Sequence, residues 1–188
     1  MDKKKSWVKI VGKTIVIVGA VVGLLSIFLS FILPQYFGWY RIEGSVGGSV
    51  VIGLYITGLG TITTIGPPGG PSGIVILELI GGIIFMVGAI LCIIGVLLPM
   101  FYKEIKALNN VGGILMLVAP LFLIIDVQII SGPEFRDFIS TLAGSPTAVS
   151  MFWGSIRVGP DAVINWGIWI GSFTAFGAGV LGLVGGSL

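Results

Sequence analysis

Apolar residues along this chain fall into long uncharged runs separated by segments rich in glycine, proline and polar residues. A helix that crosses a bilayer needs about 20 mostly apolar residues, because every backbone N–H and C=O must be satisfied within the segment. Four runs meet that condition. Residues 14–33 carry no charge and stop at Pro34; 74–101 carry only Glu78, near the start, with Pro99 near the end. Residues 111–130 carry Asp126 near their far end and Pro120 at a predicted kink, since proline offers no N–H to the preceding turn. Residues 162–188 are uncharged throughout. A fifth uncharged run, 44–66, is dominated by glycine and β-branched residues and alternates at Thr61-Ile62-Thr63, which is a strand pattern.

The four runs divide the chain into a basic tail (1–13), a long first loop (34–73), a short turn (102–110) and a second loop (131–161). The first loop opens with the aromatic run Tyr36-Phe37-Gly38-Trp39-Tyr40, suited to a membrane–water boundary. Residues 50–56 and 60–65 then predict two short strands around Gly58, closed by the breaker Gly66-Pro67-Pro68-Gly69-Gly70-Pro71. The second loop begins with Ser131-Gly132-Pro133-Glu134, a capping-box pattern. Phe135, Phe138, Ile139 and Leu142 follow at helical spacing, and Gly144 ends the predicted amphipathic helix. Met151, Phe152, Trp153, Trp166 and Trp169 complete an aromatic belt. The predicted fold is therefore an all-α integral membrane protein, a four-transmembrane-helix bundle with a small extracytoplasmic β-sheet in its first outer loop.

Composition and charge sharpen this picture. Of 188 residues, 55% are hydrophobic and only 10% charged, against about 25% charged in a soluble domain. Lys3, Lys4, Lys5, Lys9 and Lys13 precede the first run, and Lys103 and Lys106 follow the second. Basic residues of short flanking loops stay on the cytoplasmic side. An even number of crossings between these two groups is thus required, which rejects 44–66 as a span. With four spans, both termini are cytoplasmic in the plasma membrane. The inner side then holds seven lysines against Asp2 and Glu104, and the outer side three arginines against six acids. The first run lacks a cleavage pattern and is expected to remain as an anchor. No N-x-S/T sequon is present.

Small residues mark helix contact faces in lipid, where close approach replaces the hydrophobic driving force. Gly19 and Gly23 form a GxxxG pair in the first run, Gly81, Gly88 and Gly95 recur at sevens in the second, and Gly167 and Gly171 open a stripe in the last. A tight bundle is expected.

The chemistry is sparse. Absence of histidine removes imidazole bases and histidine-containing metal sites, and the single cysteine, Cys92, lies mid-span where a thiol is inert. No cofactor, metal or nucleic-acid site is expected, and the chain is not expected to be an enzyme. Glu78 and Asp126 are the ionisable residues within the spans, and such groups are functional candidates for proton or cation handling. Near the outer ends they are also expected to reach headgroup water or to pair with Arg41, Arg136 or Arg157.

Leu33-Pro34 leading to Trp39, then Gly53-Leu54-Tyr55, together with the loop lengths, resembles the claudin and peripheral-myelin-protein type of four-span membrane protein. The resemblance implies cytoplasmic termini and a first outer loop folded as a β-sheet. The third motif position is tyrosine in place of the family's tryptophan, its spacing from Trp39 is shorter, and the paired loop cysteines are absent. The functional expectation is association with other membrane proteins, or with copies of itself, through the outer loops, as a scaffold or accessory subunit. Trp39, Tyr40, Gly53, Leu54, Tyr55, Phe152 and Trp153 are the candidate interaction residues. The alternative is a small transporter or ion-permeation subunit using Glu78 and Asp126. An enzyme acting on lipid or quinone is a third, since no acid–base set converges. The bilayer is the remaining partner.

Overall fold

Four apolar runs too long for strands must form helices, and the computed structural model shows how they pack. It describes residues 3–66, 73–100, 106–144 and 150–188. Asp2, Lys103, Glu104 and the breaker residues 67–71 lie outside the described residues. In chain order the elements are α1 (Lys3–Ile32), the short turn α2 (Pro34–Phe37), β1 (Tyr40–Val46), β2 (Ser49–Ile56), β3 (Ile62–Ile65) and α3 (Ile76–Leu97). They continue with α4 (Lys106–Ile125), a π-helical segment (Asp126–Ile130), α5 (Gly132–Ala143), β4 (Trp153–Arg157), β5 (Ala162–Ile168) and α6 (Ile170–Ser187). Four stretches are long and apolar enough to cross a membrane: Ser6–Ile32, Ile76–Leu97, Ala107–Ile130 and Ile170–Ser187.

The boundaries differ most from the expected ones in three places. α1 runs through the basic tail, so its 30 residues reach about 45 Å, well beyond a hydrocarbon core. α4 begins at Lys106, making helix of most of the turn expected at 102–110. The last helix starts at Ile170, not at Ala162, because Ala162–Ile168 is strand β5. An uncharged apolar run alone does not separate buried strand from helix. Here β1 supplies the backbone partners, pairing residue for residue with β5.

α1 packs on α3 and α6, and α4 packs on the same two helices, which closes a four-helix ring. Glycine permits the approach. A Cβ at Gly88 would lie 2.7 Å from the Gly112 carbonyl oxygen, and one at Gly112 would lie 2.6 Å from that of Gly88. Gly12 and Gly185 make the same reciprocal contact between α1 and α6, at 2.7 and 2.6 Å. Of the glycines expected in the stripes, Gly19 lies on the Ala178 backbone, Gly81 on that of Ala119, Gly23 on the Phe85 ring and Gly95 on Asn109. Gly171 instead faces Phe37 and Trp39, and Gly167 belongs to β5, against Trp153. Away from these seams the bundle exposes large apolar side chains, including Val21, Phe28, Ile83, Ile90, Val118 and Phe176.

At one end of the bundle sits a five-stranded antiparallel sheet in the order β3-β2-β1-β5-β4. It joins both loops, where two strands in the first loop alone were expected. β1 and β2 form a hairpin around Gly47-Gly48, both at positive φ, which suits the tight two-residue turn favoured by strand twist. One face carries Tyr40, Ile42, Leu54, Ile56, Ile164 and Trp166, and α5 covers it, with Phe135 stacked on Tyr40 at 6.0 Å. The opposite face carries Arg41, Glu43, Tyr55 and Asn165. α5 is the amphipathic helix expected, closed by Gly144 at φ 68, yet Ser131 makes no side-chain cap to its backbone.

Candidate functional site

The aromatic start of the first loop packs inward. Trp39 is fully buried at the junction of sheet and bundle, edge-on to Phe85 at 5.9 Å, and its carbonyl accepts bonds from the Ser172 hydroxyl and the Trp169 N–H. Gly58 lies against its indole, and the Gly58 N–H donates to the Ser30 hydroxyl, 2.9 Å away. Tyr40, Leu54 and Tyr55 are likewise buried, and Gly53 lies under the Tyr55 ring. These five candidate interaction residues are thus core of the sheet and its junction with the bundle. The reason is geometric: the sheet and α5 enclose apolar side chains that an open loop would leave at the lipid boundary.

On the opposite face the Tyr55 hydroxyl donates to Glu43 Oε1 at 2.8 Å, and Arg41 bonds to Glu43 Oε2 at 2.6 Å while stacking on the Trp169 ring. Burial, together with the hydrogen bond to Glu43 and its negative charge, pushes the Tyr55 hydroxyl above its ordinary range. Burial pulls Arg41 down, with Glu43 opposing. Tyr40, enclosed between the sheet and α5, is raised by burial alone.

Phe152 and Trp153 are different. They are exposed, Trp153 to 69%, at the start of β4. β4 is an edge strand with β5 on one side only. The opposite edge is β3, with Ile65 exposed at its end.

The two carboxylates of the long apolar helices lie together at the sheet end. Glu78 occupies the first turn of α3, where the helix dipole favours negative charge, beneath the turn at Gly60. It is wholly buried and neither carboxyl oxygen has a partner. Asp126 opens the π-helical segment, 2% exposed; Ser131 hydrogen-bonds to its carboxyl, but Oδ2 is without a partner. The expected pairing with arginine is not what the structure shows. Arg41 pairs with Glu43, and Arg136 keeps an unpartnered buried Nε. Nor does Glu78 reach the surface, since the β2–β3 turn covers it. Beside Asp126 opens a cavity of about 400 Å³, bounded by β3, the start of α3, the π-helical segment and α5.

The hydropathy pattern located Glu78 and Asp126 but did not show that the π-helical turn and the first turn of α5 enclose a cavity with them. Deeper in the bundle, inward positions are filled by Phe85, Ala89, Cys92 and Met116. Among the described residues no group of three or more acidic or cysteine side chains is placed to hold a metal ion. No protein-family model matches the chain, and no curated protein matches it.

Proposed function

We propose that this chain is a non-enzymatic integral protein of the plasma membrane, with cytoplasmic termini and the sheet outside, that associates laterally with other membrane proteins or with further copies of itself. The apolar side chains ringing the bundle suit lipid. The lysines of α1 lie at the end of that helix away from the sheet, which suits a cytoplasmic amino terminus.

The observation that carries association is Trp153. A large aromatic side chain standing exposed on an edge strand, paired with β5 on one side and with no strand on the other among the described residues, offers both an apolar anchor and a row of edge backbone groups. Association therefore centres on Phe152 and Trp153, the two interaction candidates that face outward, and the other five support the sheet that presents them. The four-span shape with a loop-borne sheet is compatible with a claudin-like scaffold, and without loop cysteines the inter-loop β1–β5 pairing takes the stabilising role.

A photo-crosslinking amino acid at position 153, irradiated in native membranes, is expected to give adducts at the mass of a dimer or of a heteromeric complex. Trp153→Ala is expected to weaken that association by about tenfold or more, the usual scale for a tryptophan anchor. Monomer alone, both by crosslinking and by native mass spectrometry from mild detergent, would rule association out. A transporter or ion-permeation subunit is the second reading, favoured by the buried carboxylates at positions 78 and 126. It has less support, because the interior beyond them is packed with apolar and small side chains.

A further inference from the structure

We propose that the cavity beside Asp126 is a binding site for an ammonium group carried on a small apolar body. This is independent of association at β4, because the cavity lies under the β3 side of the sheet, across it from Trp153.

Three observations converge. First, Asp126 lines the cavity, is 98% shielded from solvent, and holds Oδ2 without any hydrogen-bond donor. A buried carboxylate oxygen with no partner costs stability, and a cation delivered to it recovers that loss through a charge-assisted bond. Second, the polar groups on the cavity wall are acidic or hydroxylic: Asp126, Glu134 and Ser131. Among the described residues no cationic side chain, Arg136 included, lines it. Glu78 lies close enough to Asp126 for the two carboxyls to interact. Third, the remaining wall is apolar, with Val75, Leu77, Ile130 and Phe135 among its residues.

Size and lining select the ligand class. The volume, about 400 Å³, falls in the range of sites for small organic molecules rather than bare ions. A metal ion would need several oxygen ligands drawn together, and no such group is found among the described residues. An amine with a short hydrocarbon body satisfies both the acidic group and the apolar wall. The π-helical turn that begins at Asp126 sets the carboxylate at the cavity wall, and such turns recur at ligand sites. Free amines and the ammonium of an ethanolamine lipid headgroup share this chemistry.

The test uses the full chain in phosphatidylglycerol nanodiscs, with hexylammonium as probe and hexanol as its uncharged counterpart, read by calorimetry. Hexylammonium is expected to bind at least about tenfold more tightly than hexanol, and Asp126→Asn to abolish the difference, as loss of one partner of a buried charged contact does. Glu134→Gln, at an exposed position, is expected to weaken binding by a smaller factor. Asp126→Asn removes a buried acid whose Oδ2 has no donor and keeps an oxygen to accept from Ser131, so the variant is expected to fold, which unchanged thermal unfolding would verify. Adding phosphatidylethanolamine separates the sources: competition identifies a lipid headgroup, and undiminished hexylammonium binding identifies a soluble amine. Equal binding of hexanol and hexylammonium, or hexylammonium binding retained by Asp126→Asn, overturns the proposal.

Discussion

Replacing Gly88 with valine is expected to destabilise the bundle by about 3 kcal/mol, the upper end of the cost of overpacking a tight interior. The backbones of α3 and α4 meet here: a Cβ at Gly88 would sit 2.7 Å from the Gly112 oxygen and 3.0 Å from both the Leu115 Cβ and the Met116 Cγ. None of these neighbours can yield alone. The Gly112 oxygen is fixed in a helix, and the other two atoms are close to theirs. The helices must separate, which loosens the neighbouring contact of Gly81 on the Ala119 backbone, where a Cβ would lie 2.9 Å from the oxygen. Gly112→Val is expected to act alike, with the double variant costing less than the sum, because both substitutions wedge open one contact. Gly177, on α6 with nothing within 4 Å of its Cβ position, is the control. Gly177→Val is expected to stay within about 0.5 kcal/mol of the parent. Reversible unfolding by steric trapping in bicelles measures all four. Equal stability of the Gly88 and Gly177 variants would show that the close approach contributes nothing.

The same glycines show what the sequence makes legible. Gly81, Gly88 and Gly95 recur at sevens and so announce a contact face, but their partners on α4, Ala119, Gly112 and Asn109, include a single glycine and form no small-residue stripe of their own. The four helices are legible because hydropathy at a length of about 20 residues has few other structural meanings. The sheet is legible only in part. β2 and β3 stand out by their β-branched residues, whereas β1, in Tyr40-Arg41-Ile42-Glu43, alternates clearly and was obscured by its aromatic start. Gly47-Gly48 was the signal that would have found the hairpin. β5 was hidden differently. Its apolar residues continue without a charge into α6, and only Asn165, facing away from α5, interrupts them.

For the candidate sites, chain position and depth were separable. Glu78 and Asp126 were placed at the correct helix ends, but their burial depends on the β2–β3 turn and on α5, elements brought over them by tertiary packing. Trp39 shows the reverse: an aromatic cluster after a span matches an interfacial belt equally well, until a sheet closes over it. Which aromatics face outward therefore depends on strand register, and Phe152 and Trp153 emerge because β4 is the last strand of the sheet.

Strand register also leads to a pH dependence. Stability is expected to fall steeply above about pH 10, the ordinary pKa of tyrosine. Tyr40 and Tyr55 are both raised above that value in the folded chain, Tyr40 by burial and Tyr55 by burial reinforced by Glu43. The folded state thus keeps two protons that the unfolded state releases. Their contribution is complete below the unfolded pKa and is lost as pH climbs toward the folded one, at about 1.4 kcal/mol per pH unit for each tyrosine. The two single variants separate the causes. The Tyr40 hydroxyl is buried without a partner, so Tyr40→Phe is expected to stabilise the chain by about 1 kcal/mol at neutral pH and to remove one tyrosine's share of the alkaline slope. Tyr55→Phe is expected to remove the same share of slope but to cost about 1–3 kcal/mol at neutral pH. It strips the hydroxyl donor from Glu43 Oε1, leaving that carboxylate to Arg41 alone. Unfolding free energies from neutral pH to about pH 11.5 test this, with the titration of lysines and other tyrosines common to all three proteins. An alkaline slope unchanged by both substitutions would remove these tyrosines as its source, and with them the enclosure of Tyr40 between the sheet and α5.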